Sequence, residues 1–202
     1  MTPVCCAFAF LMAVGPLPAG DESVRTAAGQ REISDDTARL ELARVLQKDS
    51  RAREAITIYR QILSRRSDNL AARVELAQLL LAVDDPLAAE ALLNEVPRES
   101  LGREALLVLA AIAETNSRFR DAQSIYESLV KSRPSDQVTR FRLAQVLAWQ
   151  RKYEESISQF AILAEERPRD IQLLRTYAQV LGWAGKNGES ISIWERTFTN
   201  SK

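Results

Sequence analysis

Histidine is absent from all 202 residues. That removes the commonest general base, the Ser-His and Cys-His nucleophile pairs, and every zinc site that uses imidazole. Cysteine is nearly absent too: Cys5 and Cys6 are neighbours inside an apolar run, so they frame neither an ordinary disulfide nor a four-ligand metal site. Neither charge is in excess, with 27 Lys plus Arg against 27 Asp plus Glu, so no basic field addresses a nucleic-acid backbone. No glycine-rich phosphate loop or nucleophile elbow appears, and "GKNGES" at 185–190 lacks the spacing of a phosphate loop. These absences predict no metal, no cofactor, no nucleic-acid partner and no catalysis.

Long apolar runs are also missing. The longest, "VCCAFAFLMAV" at 4–14, spans eleven residues, which is too short to cross a membrane but suits the hydrophobic region of a secretion signal. "GPLPAGDES" follows it, so residues 1–20 are a candidate signal peptide and the expected location is exported, in the periplasm. No Lys or Arg precedes the run, unlike an ordinary signal, and the alternative is an N-terminal extension that packs on the first helix. Residues 21–34 show no sustained apolar period and read as a linker.

What the sequence does have is repetition. "VLAWQRKYEESISQF" at 146–160 returns 34 residues later as "VLGWAGKNGESISIW", identical at 8 of 15 positions. Working outward, a small residue after a large apolar one recurs at Ala43, Ala77, Ala110, Ala144 and Ala178. Twelve residues beyond each stands Ala55, Ala89, Ala122, Ser156 or Ser190. Four beyond that comes Tyr59, Leu93, Tyr126, Phe160 or Trp194. Apolar spacing of three and four marks each half of a unit as an amphipathic helix, and the breaks fall on "KDS", "VDDP", "TNS", "QRK" and "AGKNG". Asp85 before Pro86, and Asp170, read as helix N-caps.

These residues resemble the tetratricopeptide repeat, a 34-residue helix-turn-helix with small residues at two fixed positions, an aromatic after the second and a proline near the end, where Pro134 and Pro168 fall. The resemblance implies an all-α fold, a right-handed α-solenoid of about five units at 36–69, 70–102, 103–136, 137–170 and 171–202. The whole array would occupy residues 35–202. The second unit is the most irregular, with Leu93 in place of the aromatic and "NEVPRES" one residue short.

Stacked helix pairs bury a shared core and leave a concave groove, which by the family's geometry is lined by the first helix of each pair. One outward column there reads Arg44, Gln78, Ala111, Gln145 and Gln179, and the next reads Lys48, Ala82, Thr115, Trp149 and Trp183. Trp faces and Gln amides at matching heights suit an extended peptide or a sugar chain; alternatively both Trp pack as core. The column one turn earlier is Leu40, Val74, Leu107, Phe141 and Arg175, so the Lys/Arg/Asn clamp that some family members use on chaperone carboxylates is absent. Candidate partner contacts are therefore Arg44, Gln78, Gln145, Trp149, Arg175, Gln179 and Trp183. The wording of the repeats resembles exported bacterial scaffolds of cellulose and poly-N-acetylglucosamine export, which makes a polysaccharide chain the alternative ligand. Carboxylate pairs such as Glu154-Glu155 and Glu165-Glu166 read as solvated helix faces rather than acid-base groups. Trp194 and Phe198 near the C-terminus have no later capping helix, so either another subunit or a partner covers them, with self-association the expected outcome, or the sequence is a fragment of a longer array.

Overall fold

The computed structural model describes the backbone of residues 22–199 and the side chains of 35–198. The described residues form ten α-helices and one short 3-10 turn, with no strand among them. The helices follow one another as antiparallel pairs: α1 (Glu22–Lys48) with α2 (Ala52–Arg65), α3 (Leu70–Ala82) with α4 (Pro86–Asn94), α5 (Arg103–Thr115) with α6 (Phe119–Ser132), α7 (Gln137–Trp149) with α8 (Tyr153–Glu166), and α9 (Ile171–Trp183) with α10 (Asn187–Thr199). Each second helix packs on the first helix of the next pair, which builds an α-solenoid.

The repeated small residues explain the close pairing. Ala43, Ala77, Ala110, Ala144 and Ala178 are all fully buried, as are Ala55, Ala89, Ala122 and Ser156. Where the second column is serine, its hydroxyl donates to the carbonyl of the facing Ala, from Ser156 to Ala144 at 2.7 Å and from Ser190 to Ala178 at 2.8 Å. A hydroxymethyl replaces a methyl there without leaving an unsatisfied buried group. The core runs along the array from Ala43 to Leu181, with Tyr59, Leu93, Tyr126 and Phe160 each sealing one pair.

All five turns within the pairs fall where the breaks in the pattern stand, and all are built alike. The residue two beyond the first helix takes a left-handed conformation: Ser50, Asp84, Ser117, Arg151 and Gly185, with φ of 61°, 65°, 56°, 61° and 76°. The next amide then donates back to the helix, as in Lys152 N–H to Leu147 O at 2.9 Å. Only Gly185 adopts this φ without steric cost. Arg151→Gly is accordingly expected to stabilise the fourth unit by about 0.5 kcal/mol, read as a higher thermal midpoint; a lower midpoint would show that Arg151 contributes more than its strain.

Asp85 caps α4, donated to by Ala88 N–H at 3.1 Å, and Asp170 caps α9, donated to by Leu173 N–H at 3.0 Å. Asn69 and Asp136 cap α3 and α7 in the same way, from positions the sequence pattern did not single out. The irregular second unit ends α4 early and passes through Pro97 into a 3-10 turn at Arg98–Ser100. The proline lacks an amide hydrogen, which is why the helix is not continued.

Two features differ from expectation. The stretch 21–34, read as a linker, is helical from Glu22, so α1 is 27 residues long against 13 for α3. Ala27, Ala28, Gln30, Arg31 and Glu32 are strong helix formers interrupted by Gly29, and a helix without an apolar stripe escapes a search for periodicity. The second feature is a set of arginines that bind turns to helices. Arg73 is buried in α3, donates to Leu92 O and Ser67 O at 2.8 Å each, and pairs with Glu95. Arg140, at the same position of α7, donates to Pro134 O at 2.8 Å and to Gln159 Oε1 at 2.7 Å. The candidate signal peptide at 1–20 lies outside the described residues. Among the described residues, no helix is long and apolar enough to cross a membrane.

Candidate functional site

The first helices α5 and α7 diverge enough to leave a cavity of about 850 Å³ between the third and fourth pairs. One wall is α5, through Leu107, Ala111, Glu114 and Thr115; the other is α7, through Val138, Thr139, Arg142 and Trp149; Phe119 and Tyr126 of α6 close it from below. The residues at Leu107, Ala111 and Thr115 are the third-unit members of the three groove columns named from the sequence, so the cavity lies on the surface those columns describe.

Trp149 is only half-buried, at 44% exposed, and its ring leans on Phe119 with centroids 5.4 Å apart and planes tilted by 43°. The ring thus packs in part on the neighbouring pair, as the core alternative expects, while the rest of it stays exposed beside the cavity. Trp183 is more exposed still, at 56%.

The polar groups of the cavity are already ordered. Glu114 accepts from the Tyr126 hydroxyl and lies 3.7 Å from Arg142. Burial, then the bond to Glu114, holds the Tyr126 hydroxyl far above its usual range, so it stays a proton donor. Thr139 is buried, donates to Asp136 at 2.6 Å and accepts from Arg103 at 2.8 Å; Arg103 also forms an ion pair with Asp136. That cluster fixes α7 against α5 and therefore sets the width of the cavity. Arg142 remains about half exposed at the rim, with a single long ion pair.

The other sequence candidates are dispersed. Arg44 is engaged by Glu75 and Glu41, and Glu75 also accepts from the Tyr59 hydroxyl at 2.9 Å. Its guanidinium is thus committed to joining the first two pairs. Gln78 lines a smaller cavity of about 410 Å³ with Val74, Glu75 and Gly102. Gln145 is half-buried, and its side-chain oxygen has no hydrogen-bond partner. Arg175, Gln179 and Trp183 are exposed along α9 and line neither cavity. Of the seven candidates, only Trp149 enters the large cavity. Glu114, Phe119, Tyr126, Val138, Thr139 and Arg142 were missed, because they come from the ends of elements, from the second helix and, for Arg142, from the position beside a chosen column rather than from the columns themselves. The carboxylate pairs lie on exposed faces, and Glu154 is paired with Lys186 at 2.7 Å. Among the described residues, no group of three metal-binding side chains converges.

No curated protein matches the chain in sequence. Among solved structures, the crystal structure of MamA superposes with a TM-score of 0.72 at 13% identity, covering 82% of this chain and 91% of that one. YrrB, described as a TPR protein with an unusual peptide-binding site, superposes with a TM-score of 0.71 at 15% identity, covering 87% and 91%. Nearly identical TPR-like repeats described as kinesin light chain, from Podosopora anserina, give 0.68 at 17%, covering 82% and 94%. At such identities the likeness is one of fold. Two family profiles, each for a tetratricopeptide repeat, match residues 46–112 and 107–171. Together they span more than half of the sequence, and the chain belongs to the tetratricopeptide-repeat family.

Proposed function

We propose that the chain is a non-enzymatic scaffold that captures an extended segment of a partner protein in its concave groove, centred on the cavity between α5 and α7. The observation that carries this is the half-exposed ring of Trp149 lining a cavity of about 850 Å³ together with Leu107, Phe119 and Val138, with Arg142 half exposed at its rim. The pocket takes one large apolar or aromatic side chain. Arg142 and, one unit on, Arg175 favour a carboxylate in the neighbouring part of the segment. Selection of a random displayed peptide library on the immobilised full chain is expected to enrich sequences that pair an aromatic or large aliphatic residue with an acidic one. Enrichment of no common pattern would reject the assignment.

A second possibility, favoured by the half-exposed rings of Trp149 and Trp183, is a polysaccharide chain stacked along the C-terminal half of the groove, with Gln145 and Gln179 as hydrogen-bonding groups. In that case β-1,4-glucan or N-acetylglucosamine oligosaccharides, rather than peptides, shift the tryptophan fluorescence. The apolar run at 4–14 supports an exported, periplasmic setting, possible to check by cell fractionation. Self-association through Trp194 and Phe198 in the last unit completes the set of partners.

A further inference from the structure

The same repeat columns that define the core also define two exposed ends. In the column that precedes the buried Ala, Leu76, Leu109, Leu143 and Tyr177 are at most 8% exposed, but Leu42 is 48% exposed. In the column two residues after it, Leu79, Ile112, Val146 and Val180 are at most 3% exposed, but Val45 is 59% exposed. Nothing among the described residues stands before α1 to do for Leu42 and Val45 what each preceding pair does for the others.

The opposite end shows the converse. Tyr59, Leu93, Tyr126 and Phe160 are at most 2% exposed, whereas Trp194, in the same column of α10, is only half-buried. Ile157 and Ala164 are buried in α8, whereas their counterparts in α10, Ile191 and Phe198, are 59% and 69% exposed.

Contacts within the array show how these columns meet. Phe160 of α8 stacks on Tyr177 of α9 with centroids 5.8 Å apart. The column of Ile191 is touched by the following pair as well: Glu90 accepts from Arg118 at 2.7 Å, and Gln123 from Gln150 at 2.9 Å. The Trp194 column of α10 therefore presents the surface that a first helix covers, the Ile191 column the surface that the turn after such a helix touches, and α1 presents the surface of a first helix.

We infer that the partner of the C-terminal unit is the N-terminal unit of a second copy of this chain, docked head to tail so that the contact continues the interface already made between successive pairs. Leu42 of one copy would seat on Trp194 of the other as Tyr177 seats on Phe160, with Val45, Ile191 and Phe198 around them. This rests on the self-association proposed above and names the surface that completes it. Because head and tail differ, the contact is heterologous and adds copies in a line instead of closing a dimer.

The test is sedimentation velocity on the full chain, on Val45→Glu and on Phe198→Glu, each alone and then the two variants mixed in equal amounts. Both positions are exposed, so helicity by circular dichroism should be unchanged. The wild type is expected to grow beyond twice the 22.6 kDa chain mass as concentration rises. Each variant alone should stay a single chain. The mixture should form a one-to-one pair and stop, since one variant keeps a working tail and the other a working head. A wild type that remains a single chain at all concentrations overturns both self-association and its head-to-tail form. Val45→Glu that still self-associates, with no rescue on mixing, overturns the head-to-tail form alone in favour of a tail-to-tail dimer.

Discussion

Phe160→Ala is expected to cost about 3–5 kcal/mol and to release the last helix pair before the rest of the array unfolds. Phe160 is fully buried, meets Phe141 edge-on at 5.6 Å, and stacks on Tyr177 of the next pair at 5.8 Å. It therefore belongs to two interfaces, the closure of its own pair and the docking of α9. In a linear array each pair is stabilised only by its neighbours, so weakening one junction uncouples what lies beyond it. Hydrogen exchange should show lost protection concentrated in α9 and α10, and denaturant unfolding should separate into two steps. A single unfolding step shifted by less than about 1 kcal/mol would mean that this column fills space without coupling the pairs.

The second large effect concerns Arg73. Its guanidinium is buried and serves Leu92 O, Ser67 O and the Glu95 carboxylate at once, tying the turn before α3 to the end of the short helix α4. Arg73→Met keeps most of the side-chain volume but strips partners from two carbonyls, at a cost of about 2–4 kcal/mol. Lys offers a point charge where a planar fork spans several acceptors, so Arg73→Lys should recover only part of the loss. Chemical denaturation of the three proteins checks this. Equal stability of Arg73→Met and the wild type would show that the brace is dispensable.

The repeat was legible because its determinants are local. A small residue every 34 positions, a turn between two amphipathic stretches, and Asp85 before Pro86 each act on the few residues around them. What was not legible depends on contacts made across the fold. Arg73 and Arg140 look like solvated charges in sequence, and only the turns folding back onto them reveal their acceptors. The cavity beside Trp149 depends on how far α5 and α7 separate, which the cluster of Arg103, Asp136 and Thr139 sets from the far end of α7. The columns led to Trp149 and to one wall of the cavity, but they also selected Arg44, whose charge is spent on Glu75. The helical start of α1 escaped because it has helix propensity without an apolar face.

The measurement that bears most directly on the groove is calorimetric titration of an enriched peptide into the wild type and into Trp149→Ala, with circular dichroism confirming equal helicity. Loss of the ring and of the face it offers above the cavity is expected to weaken binding at least tenfold, or about 1.4 kcal/mol. Equal affinities in the two folded proteins would contradict the assignment of the α5–α7 cavity as the binding site.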